Sequence, residues 1–448
     1  MPARLTRCCT IVLNLCHQPS ALNPTPTNPN RSPLSPPKRF TTAVVSAKMQ
    51  TVPVDLHPGK GSTYRVNRRH FLLGSLAALT PSPTRTVVVM LDGFGLEYYT
   101  ASEMPTLKRW AAQGLFAKVQ SQLPSVTNTN NAGICCGVPA SKHGISGNSY
   151  LNLDTGREDF MQDASLLRAP TLFQKAPTQK SALFTSKKKT ASLLNAGASL
   201  VIAAESPTPA LIQRYGPAPD IYSAEINHWL FDAVIDHLAH RPDLTLFYIH
   251  TTDYPMHMHP PNSPESLAHL KILDAKLAAA AHVAPDAAFY LTADHGMNFK
   301  TRAWDLDKAC AHRDAPIKLS ISADRDKYPK QHLGLGGLAY VYLNHLSDES
   351  RVAAVIEKLP GVERVLPRTE AARLFDLPPD RIGDLVITAD PATVFGTRDS
   401  ETETLASTYR SHGSRYETHV PLIIYNNEKG HHPAMAYQRN LDLTFGLF

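Results

Sequence analysis

Cysteine, long apolar runs and, near the start of the chain, acidic side chains are all scarce in this 448-residue sequence. The six cysteines form no C-x-x-C pair, which excludes a thiolate zinc finger, and they are too few for a disulfide-built scaffold. The longest apolar run falls far short of the ~20 residues that a spanning helix needs, which excludes a polytopic membrane protein. Hydrophobic residues make up 43% of the chain, which is enough for a sizeable globular core.

The charge of the chain is divided unevenly between its start and its body. Residues 1–84 hold ten Lys and Arg and one acid, Asp55, which gives a net charge of +9. The rest holds 35 bases and 38 acids, which gives −3. Because the body is mildly acidic, it offers no positive field to a nucleic acid, and we expect no nucleic-acid partner.

The basic first part, 1–84, is predicted to be a disordered leader. It contains twelve of the 36 prolines, and such a stretch cannot bury enough apolar surface to offset the entropy of ordering. Its Arg-rich and acid-poor composition is typical of an organelle transit peptide, whereas Arg68-Arg69 before a short apolar stretch is typical of a twin-arginine export signal. Met49 is an alternative start. The sequence therefore leaves the compartment open between the cytoplasm and export.

From Arg85 onward, strand patterns alternate with helix patterns. Short β-branched or aromatic runs predict strands at 86–91, 246–249, 288–291, 385–388 and 420–425. Helical periodicity predicts helices at 106–114, 128–136, 223–240 and 265–282. The alternation indicates an α/β fold with a mainly parallel sheet flanked by helices. Residues 301–397 break the pattern and predict a small inserted cap domain, which leaves 85–300 and 398–448 as the catalytic core.

Polar clusters at the ends of four predicted strands carry the first functional signal. In chain order they are Asp92; His250, Asp253, His257 and His259; Asp294 and His295; and His412. Ligands of open α/β sheets bind beyond the carboxyl ends of the strands, so we expect these clusters to converge. Carboxylates and imidazoles at such ends suit divalent metals, and zinc above all.

The polar run around Thr127 is the second signal. Thr127 is predicted to lie at a helix N-terminus, where its hydroxyl would meet the positive end of the helix dipole and free backbone N–H groups. That setting favours an alkoxide and a bound phosphate. Taken alone, the residue fits a plain N-cap threonine better.

Together these motifs resemble the alkaline phosphatase superfamily and, within it, the phosphonoacetate hydrolases, which are relatives of the nucleotide pyrophosphatases/phosphodiesterases. The superfamily motifs are LDG at 91–93, PSVTNTNN at 124–131, GISGN at 144–148, TTDYPMH at 251–257, TADHGM at 292–297 and RSHG at 410–413. The narrower match rests on LLRAPTLF at 166–173, PDIYSA at 219–224, LPPDRIGDLV at 377–386 and the stretch 410–426. The resemblance covers roughly 85–448 and implies an alkaline-phosphatase-like core.

The resemblance also implies two Zn²⁺ ions and their ligands. One zinc would be held by Asp92, Thr127, Asp294 and His295, and the other by Asp253, His257 and His412. The donor chemistry agrees, since three carboxylates and a threonine alkoxide supply four negative charges to two Zn²⁺. The second set has three ligands, which leaves a coordination position open for substrate or water. His250 and His259 are interpreted as flanking residues that are not ligands.

For the substrate, the resemblance implies roles for Asn148 and two lysines. Asn148 would donate a hydrogen bond to a phosphoryl oxygen. Lys187 and Lys189 would bind a carboxylate, because an extended segment places residues i and i+2 on one face and turns Lys188 away. A solvated charge run is the alternative interpretation of these lysines.

The implied activity is zinc-dependent cleavage of the carbon–phosphorus bond of phosphonoacetate, a small phosphonate, to acetate and phosphate. Thr127 would attack phosphorus, an enolate-like acetate would leave, and water would then hydrolyse the phosphothreonine. One alternative is a phosphodiesterase or nucleotide pyrophosphatase using the same metals, which would need aromatic residues that stack a base. A second alternative is a catalytically inactive binding module on the same fold. A homodimer is retained as a possible assembly.

Overall fold

The computed structural model describes residues 85–427, 430–445 and 447, and the fold below is that of these residues. The predicted leader, 1–84, lies outside the described residues together with Arg68 and Arg69. Its disorder and its targeting role stay predictions.

The described part of the chain contains eighteen strands and fourteen α-helices. The strands are β1 (Arg85–Met90), β2 (Leu115–Gln120), β3 (Ser149–Asn152), β4 (Arg157–Phe160), β5 (Lys180–Thr185), β6 (Leu200–Ala203), β7 (Leu244–His250), β8 (Ala287–Thr292), β9 (Asn298–Phe299), β10 (Arg302–Trp304), β11 (Leu319–Ser322), β12 (Leu338–Tyr342), β13 (Val362–Pro367), β14 (Leu385–Ala389), β15 (Thr393–Phe395), β16 (Thr402–Thr404), β17 (Arg410–Ser411) and β18 (His419–Tyr425).

The α-helices are α1 (Leu96–Ala101), α2 (Pro105–Gln113), α3 (Thr127–Cys136), α4 (Ala140–His143), α5 (Leu172–Lys175), α6 (Lys188–Leu194), α7 (Pro209–Tyr215), α8 (Glu225–His240), α9 (Tyr254–Met258), α10 (Pro264–Val283), α11 (Leu306–Ala311), α12 (Pro329–His332), α13 (Glu349–Ile356) and α14 (Arg368–Phe375). Short 3₁₀ helices lie at Ala164–Leu166, Leu346–Asp348, Pro379–Arg381, Arg415–Glu417, Ala434–Ala436 and Asn440–Thr444. Across the described ranges, none of the helices has both the length and the apolar character that crossing a bilayer requires.

The main sheet has seven strands in the order β2-β18-β8-β1-β7-β5-β6. The pairings of β1 with β7 and β8, and of β5 with β6 and β7, are parallel, whereas β18 runs antiparallel to β2 and β8. Val87 and Val88, which point to opposite faces of β1, are both fully buried, so both faces of this sheet are covered. The predicted α/β class with a mainly parallel sheet is therefore confirmed.

A second sheet is built from four antiparallel strands in the order β11-β12-β14-β13. The run at 385–388 that the sequence predicts as a strand is β14 of this sheet and not part of the parallel sheet. These strands and helices α13 and α14 lie within 301–397, but β10 also pairs with β16, beyond residue 397. The assignment of 301–397 as an inserted cap domain stays a prediction.

Candidate active site

Four neighbouring strands of the main sheet deliver charged side chains to one edge. In the sheet order β8-β1-β7-β5, each strand ends two or three residues before a charged side chain, namely Asp294, Asp92, Asp253 and Lys187 respectively. All four side chains are buried. Because carboxyl ends of parallel strands share one edge, the clusters predicted from separate parts of the sequence meet here.

The turn after β1 depends on Gly93. Its φ of +70° lies in the left-handed region, and a Cβ there would come within 2.9 Å of the Asp253 Cβ. Its backbone N–H donates to Oδ1 of Asp294 at 3.0 Å. This glycine therefore lets the chain turn tightly enough to bring Asp92, Asp253 and Asp294 together.

Three buried atoms of the site that could bind a metal have no hydrogen-bond partner within the described residues. The atoms are Oδ1 of Asp92, Oδ2 of Asp294 and Nε2 of His295. The His295 Nε2 lies 3.5 Å from Asp92 Oδ1 and 3.3 Å from Asp294 Oδ2. Ligand atoms ~2.0–2.2 Å from a tetrahedral zinc are roughly 3.3–3.6 Å apart, so this spacing matches a ligand set. A cation bound at this point would satisfy all three atoms.

The second group lies around Asp253. Its ligand atoms and those of His295 and His412 all fall within 4.8 Å of one another. The Nε2 of His257 lies 2.9 Å from Asp253 Oδ2, and the Nε2 of His412 lies 3.6 Å from the same oxygen. His295 therefore belongs to both groups geometrically, although the resemblance assigns it to the first alone.

Backbone carbonyls orient the two histidines of the second group. The Nδ1 of His257 lies 2.9 Å from the carbonyl oxygen of Arg410, and the Nδ1 of His412 lies 2.9 Å from that of Ser125. Each ring thereby turns its Nε2 towards Asp253, as a metal-binding histidine does. Burial lowers the pKa of His412 and of His295, which keeps both rings in the neutral form that binds metals.

Helix α3 begins at Thr127, and its N-cap residue is Val126, which has no side-chain oxygen. The interpretation of Thr127 as a plain N-cap threonine is therefore wrong. The turn before it is held by Asn130, whose Nδ2 donates to the carbonyl oxygens of Gln122, Pro124 and Val126. The helix is buried along its whole length, and the turn held by Asn130 leaves Thr127 at the positive helix end.

Asn148 lies beside the start of α3. Its Oδ1 accepts the backbone N–H of Asn128 at 3.0 Å, and its Nδ2 donates to Oδ1 of Asp324 at 2.9 Å. The side chain is buried and held at both ends. The structure thus brings the predicted phosphoryl donor next to the predicted nucleophile along the same helix start.

The three lysines do not lie in the extended segment that the sequence suggested. Helix α6 begins at Lys188, and Lys187 occupies its N-cap position. Lys187 and Lys189 are nevertheless both buried, while Lys188 is exposed. The interpretation as a solvated charge run is therefore wrong for Lys187 and Lys189 and correct for Lys188. The predicted extended segment is wrong, because the three lysines lie where a strand is followed by a helix.

Lys187 bridges the two candidate metal-binding groups. Its Nζ lies 2.7 Å from Asp92 Oδ2 and 2.7 Å from Asp253 Oδ1. The other oxygen of each carboxylate lies near a histidine, His295 for Asp92 and His257 for Asp253. Burial lowers the pKa of Lys187, but these two carboxylates outweigh burial and raise the pKa well above its ordinary value. Lys187 is therefore a buried cation that leaves the inner oxygens free for metals.

The site carries more buried acid than base. The buried carboxylates of the site are Asp92, Asp253, Asp294, Asp324 and Asp326, and its buried lysines, Lys187 and Lys189, contact three of them. Burial and the charge of Asp92 raise the pKa of Asp294 well above its usual range, and burial raises the pKa of Asp324 to about 8. Both shifts indicate that the charged forms of these carboxylates lack compensation, which a divalent cation beside them would supply, so the residues present fit a metal site.

Sequence reasoning missed the residues that the connection between β11 and β12 brings to the site. They are Asp324, Asp326, Gln331 and His332. The sequence feature that could have indicated them is the pair Asp324 and Asp326 followed by His332.

His250, at the end of β7, also contacts the site, since its Nε2 lies 3.1 Å from Asp92 Oδ2. His259 is partly exposed and lies near Glu265 instead.

Buried carboxylate and imidazole groups at a parallel sheet edge, together with a threonine at a buried helix start, fit a metal-dependent hydrolase of the α/β class. The family described as type I phosphodiesterase/nucleotide pyrophosphatase matches residues 86–415, and the chain belongs to this family. It is therefore an enzyme, and the inactive-module alternative is wrong.

Solved structures narrow the similarity within the family. The chain is similar to phosphonoacetate hydrolase from Sinorhizobium meliloti 1021 in complex with phosphonoformate, at 32% identity and a TM-score of 0.73, over 81% of this chain and 95% of that one. The complex of that hydrolase with phosphonoacetate matches at 31% identity with the same coverage and TM-score. Murine ectonucleotide pyrophosphatase/phosphodiesterase 5 matches at 16% identity and a TM-score of 0.58, over 80% of this chain and 92% of that one, and shows the fold alone. The resemblance stated from the motifs is confirmed.

Proposed function

We propose that this hydrolase cleaves the carbon–phosphorus bond of phosphonoacetate, giving acetate and phosphate. The proposal is supported by the similarity to a hydrolase solved with phosphonoacetate bound, over 81% of this chain. The observation that carries it is the pair of buried ammonium groups of Lys187, which contacts Asp92 and Asp253, and Lys189, which contacts Asp326. A substrate with a carboxylate beside its phosphonate has the second anionic group that such a pair can bind.

The metal-binding residues are those proposed from the sequence: Asp92, Thr127, Asp294 and His295 for one ion, and Asp253, His257 and His412 for the other. Two Zn²⁺ ions bound there would lower the pKa of coordinated hydroxyl and water and stabilise developing negative charge. The spacing of the unpartnered atoms of Asp92, Asp294 and His295 supports the first set.

The reaction has two displacements at phosphorus. In the first, the Oγ of Thr127 loses its proton and forms a bond to phosphorus while the phosphorus–carbon bond breaks, and the departing carbon gains one proton to become the methyl group of acetate. In the second, a water oxygen bonds to phosphorus, the Oγ–phosphorus bond breaks, a proton of that water returns to Oγ and phosphate leaves. The positive end of α3 favours negative charge on Oγ. Asn148, which lies beside the helix start, would donate to a phosphoryl oxygen in place of one of its two contacts with Asp324.

Phosphate release from phosphonoacetate, compared with hydrolysis of a nitrophenyl phosphodiester by the same zinc-loaded protein, tests the proposal. We expect the higher kcat/KM with phosphonoacetate. The phosphodiesterase alternative would be supported by the reverse order. That alternative would require an aromatic residue that stacks a base.

The two lysines are expected to differ in effect. An ammonium group has three N–H donors. Lys187 donates two of them to Asp92 and Asp253, whereas Lys189 donates one to Asp326 and so has more left for a substrate. Replacing Lys189 by alanine should therefore reduce kcat/KM for phosphonoacetate roughly ten- to a hundredfold and leave the nitrophenyl phosphodiester nearly unchanged.

Replacing Lys187 by alanine should reduce activity on both substrates, because two ligand carboxylates then lose their shared partner. The exposed Lys188 is the matched control, and Lys188→Ala should change neither substrate. If Lys189→Ala lowers both substrates equally, Lys189 binds the phosphoryl group and not the carboxylate.

A further inference from the structure

Outside the strand ends, one buried carboxylate is tied to a residue of the proposed substrate pocket. Asp326 lies in the connection between β11 and β12, more than a hundred residues from the lysines along the chain. Its Oδ2 accepts a hydrogen bond from the Nζ of Lys189, and both side chains are almost completely buried. Removed from water in this way, the pair holds its geometry far better than an exposed pair would.

The other oxygen of Asp326 is also fully used. Its Oδ1 accepts the backbone N–H of Tyr328 at 2.7 Å and lies 3.0 Å from Nε2 of His332. The carboxylate is thus held by groups of its own connection while it holds Lys189 from one side. The Lys189 ammonium also lies 5.6 Å from the centroid of the Tyr328 ring. Both oxygens of Asp326 therefore have partners within the described residues.

We propose that Asp326 is a positioning residue that sets the selectivity of the enzyme for a carboxylate-bearing phosphonate by orienting the ammonium of Lys189. The inference rests on the proposed function, in which Lys189 binds the substrate carboxylate. Lysine has a flexible four-carbon stem, so its charge must be held in place if it is to recognise one anion at one distance from phosphorus. Asp326, anchored by Tyr328 and His332, holds it there.

The test compares two substrates and four proteins: wild type, Asp326→Asn, Lys189→Ala and the double variant. With Asp326→Asn, kcat/KM for phosphonoacetate should fall roughly tenfold or more, mainly through KM, while the value for a nitrophenyl phosphodiester changes by less than about threefold. In the Lys189→Ala background, Asp326→Asn should cause no further change in the ratio of the two substrates, because the carboxylate acts through the lysine.

Two further variants separate positioning from folding. Asp326→Glu keeps the charge but displaces it by one methylene, so it should fold and still raise KM for phosphonoacetate. Glu417→Gln removes the carboxylate from another buried pair, with Lys300 at 2.8 Å, and should lower the melting temperature without changing the substrate ratio.

An unchanged or increased preference for phosphonoacetate in Asp326→Asn would overturn the positioning role, since Asp326 would then be inert or merely a competing anion. The positioning role is also overturned if Asp326→Asn changes the ratio equally with and without Lys189. If Lys189→Ala itself leaves the ratio unchanged, the carboxylate-binding part of the proposed function fails first and the role of Asp326 fails with it. The single variants therefore show which of the two ideas is at fault.

Discussion

Turnover of phosphonoacetate is expected to fall to background when Thr127 is replaced by alanine. The substitution removes both the proposed attacking oxygen and one proposed metal ligand. Thr127→Ser keeps a hydroxyl at the positive end of α3 and should retain part of the activity. Initial rates of phosphate release measure both effects.

Thr129 provides a matched control on the same helix. It is fully buried two residues after Thr127, and its hydroxyl oxygen has no hydrogen-bond partner in the described structure, so Thr129→Ala should leave turnover close to wild type. Acid quenching of wild-type protein during turnover should trap one phosphoryl group, detected by mass, and Thr127→Ala should trap none. Wild-type turnover in the alanine variant would refute covalent catalysis at this residue.

Removal of divalent metal should abolish activity, and addition of zinc should restore it. The physical reason is the excess of buried carboxylates and the unpartnered atoms of Asp92, Asp294 and His295, which a cation would satisfy. Dialysis against a chelator followed by zinc titration, with metal content measured directly, should show two ions per chain. The melting temperature should rise on zinc binding. Full activity in protein shown to be metal-free would contradict the two-metal proposal.

His412 and His419 allow the metal prediction to be tested at a single residue. His412 is buried and turns its Nε2 towards Asp253, whereas His419 at the start of β18 is exposed. His412→Ala should therefore lower zinc content and turnover strongly, and His419→Ala should leave both near wild type. The opposite order would mean that the wrong histidine has been assigned to the second ion.

Much of the fold and part of the site follow from local sequence. The β-branched run before Asp92 and the aromatic-rich runs before Asp253 and Asp294 predict buried strands that end in a polar side chain, and the structure has β1, β7 and β8 at these places. The helical periodicity at 265–282 is realised as α10, whose start is capped by Ser263 through the N–H of Ser266 at 3.1 Å. Such features depend on the hydrophobic effect and on hydrogen bonds between near neighbours, so a single segment contains them.

The geometry of the lysines could not be predicted in the same way. An extended segment and a strand-to-helix junction can both place Lys187 and Lys189 on one side. The two geometries differ in that helix α6 begins at Lys188. Which carboxylates Lys187 would meet depended on the neighbours of β5 in the sheet. Because β5 lies next to β7, with β1 beyond it, the lysine reaches Asp253 and Asp92 together.

The sequence by itself determined the α/β class, the strand-end carboxylates and histidines, and the helix start at Thr127, because each of these is encoded in a short run of residues. Only the tertiary structure decided that Lys187 bridges Asp92 and Asp253, that His295 lies between both metal-binding groups, and that Asp326 holds Lys189. These contacts join residues from distant parts of the chain. They arise from strand order and from burial, which bring charges together in a low-dielectric interior and which no local pattern of residues specifies.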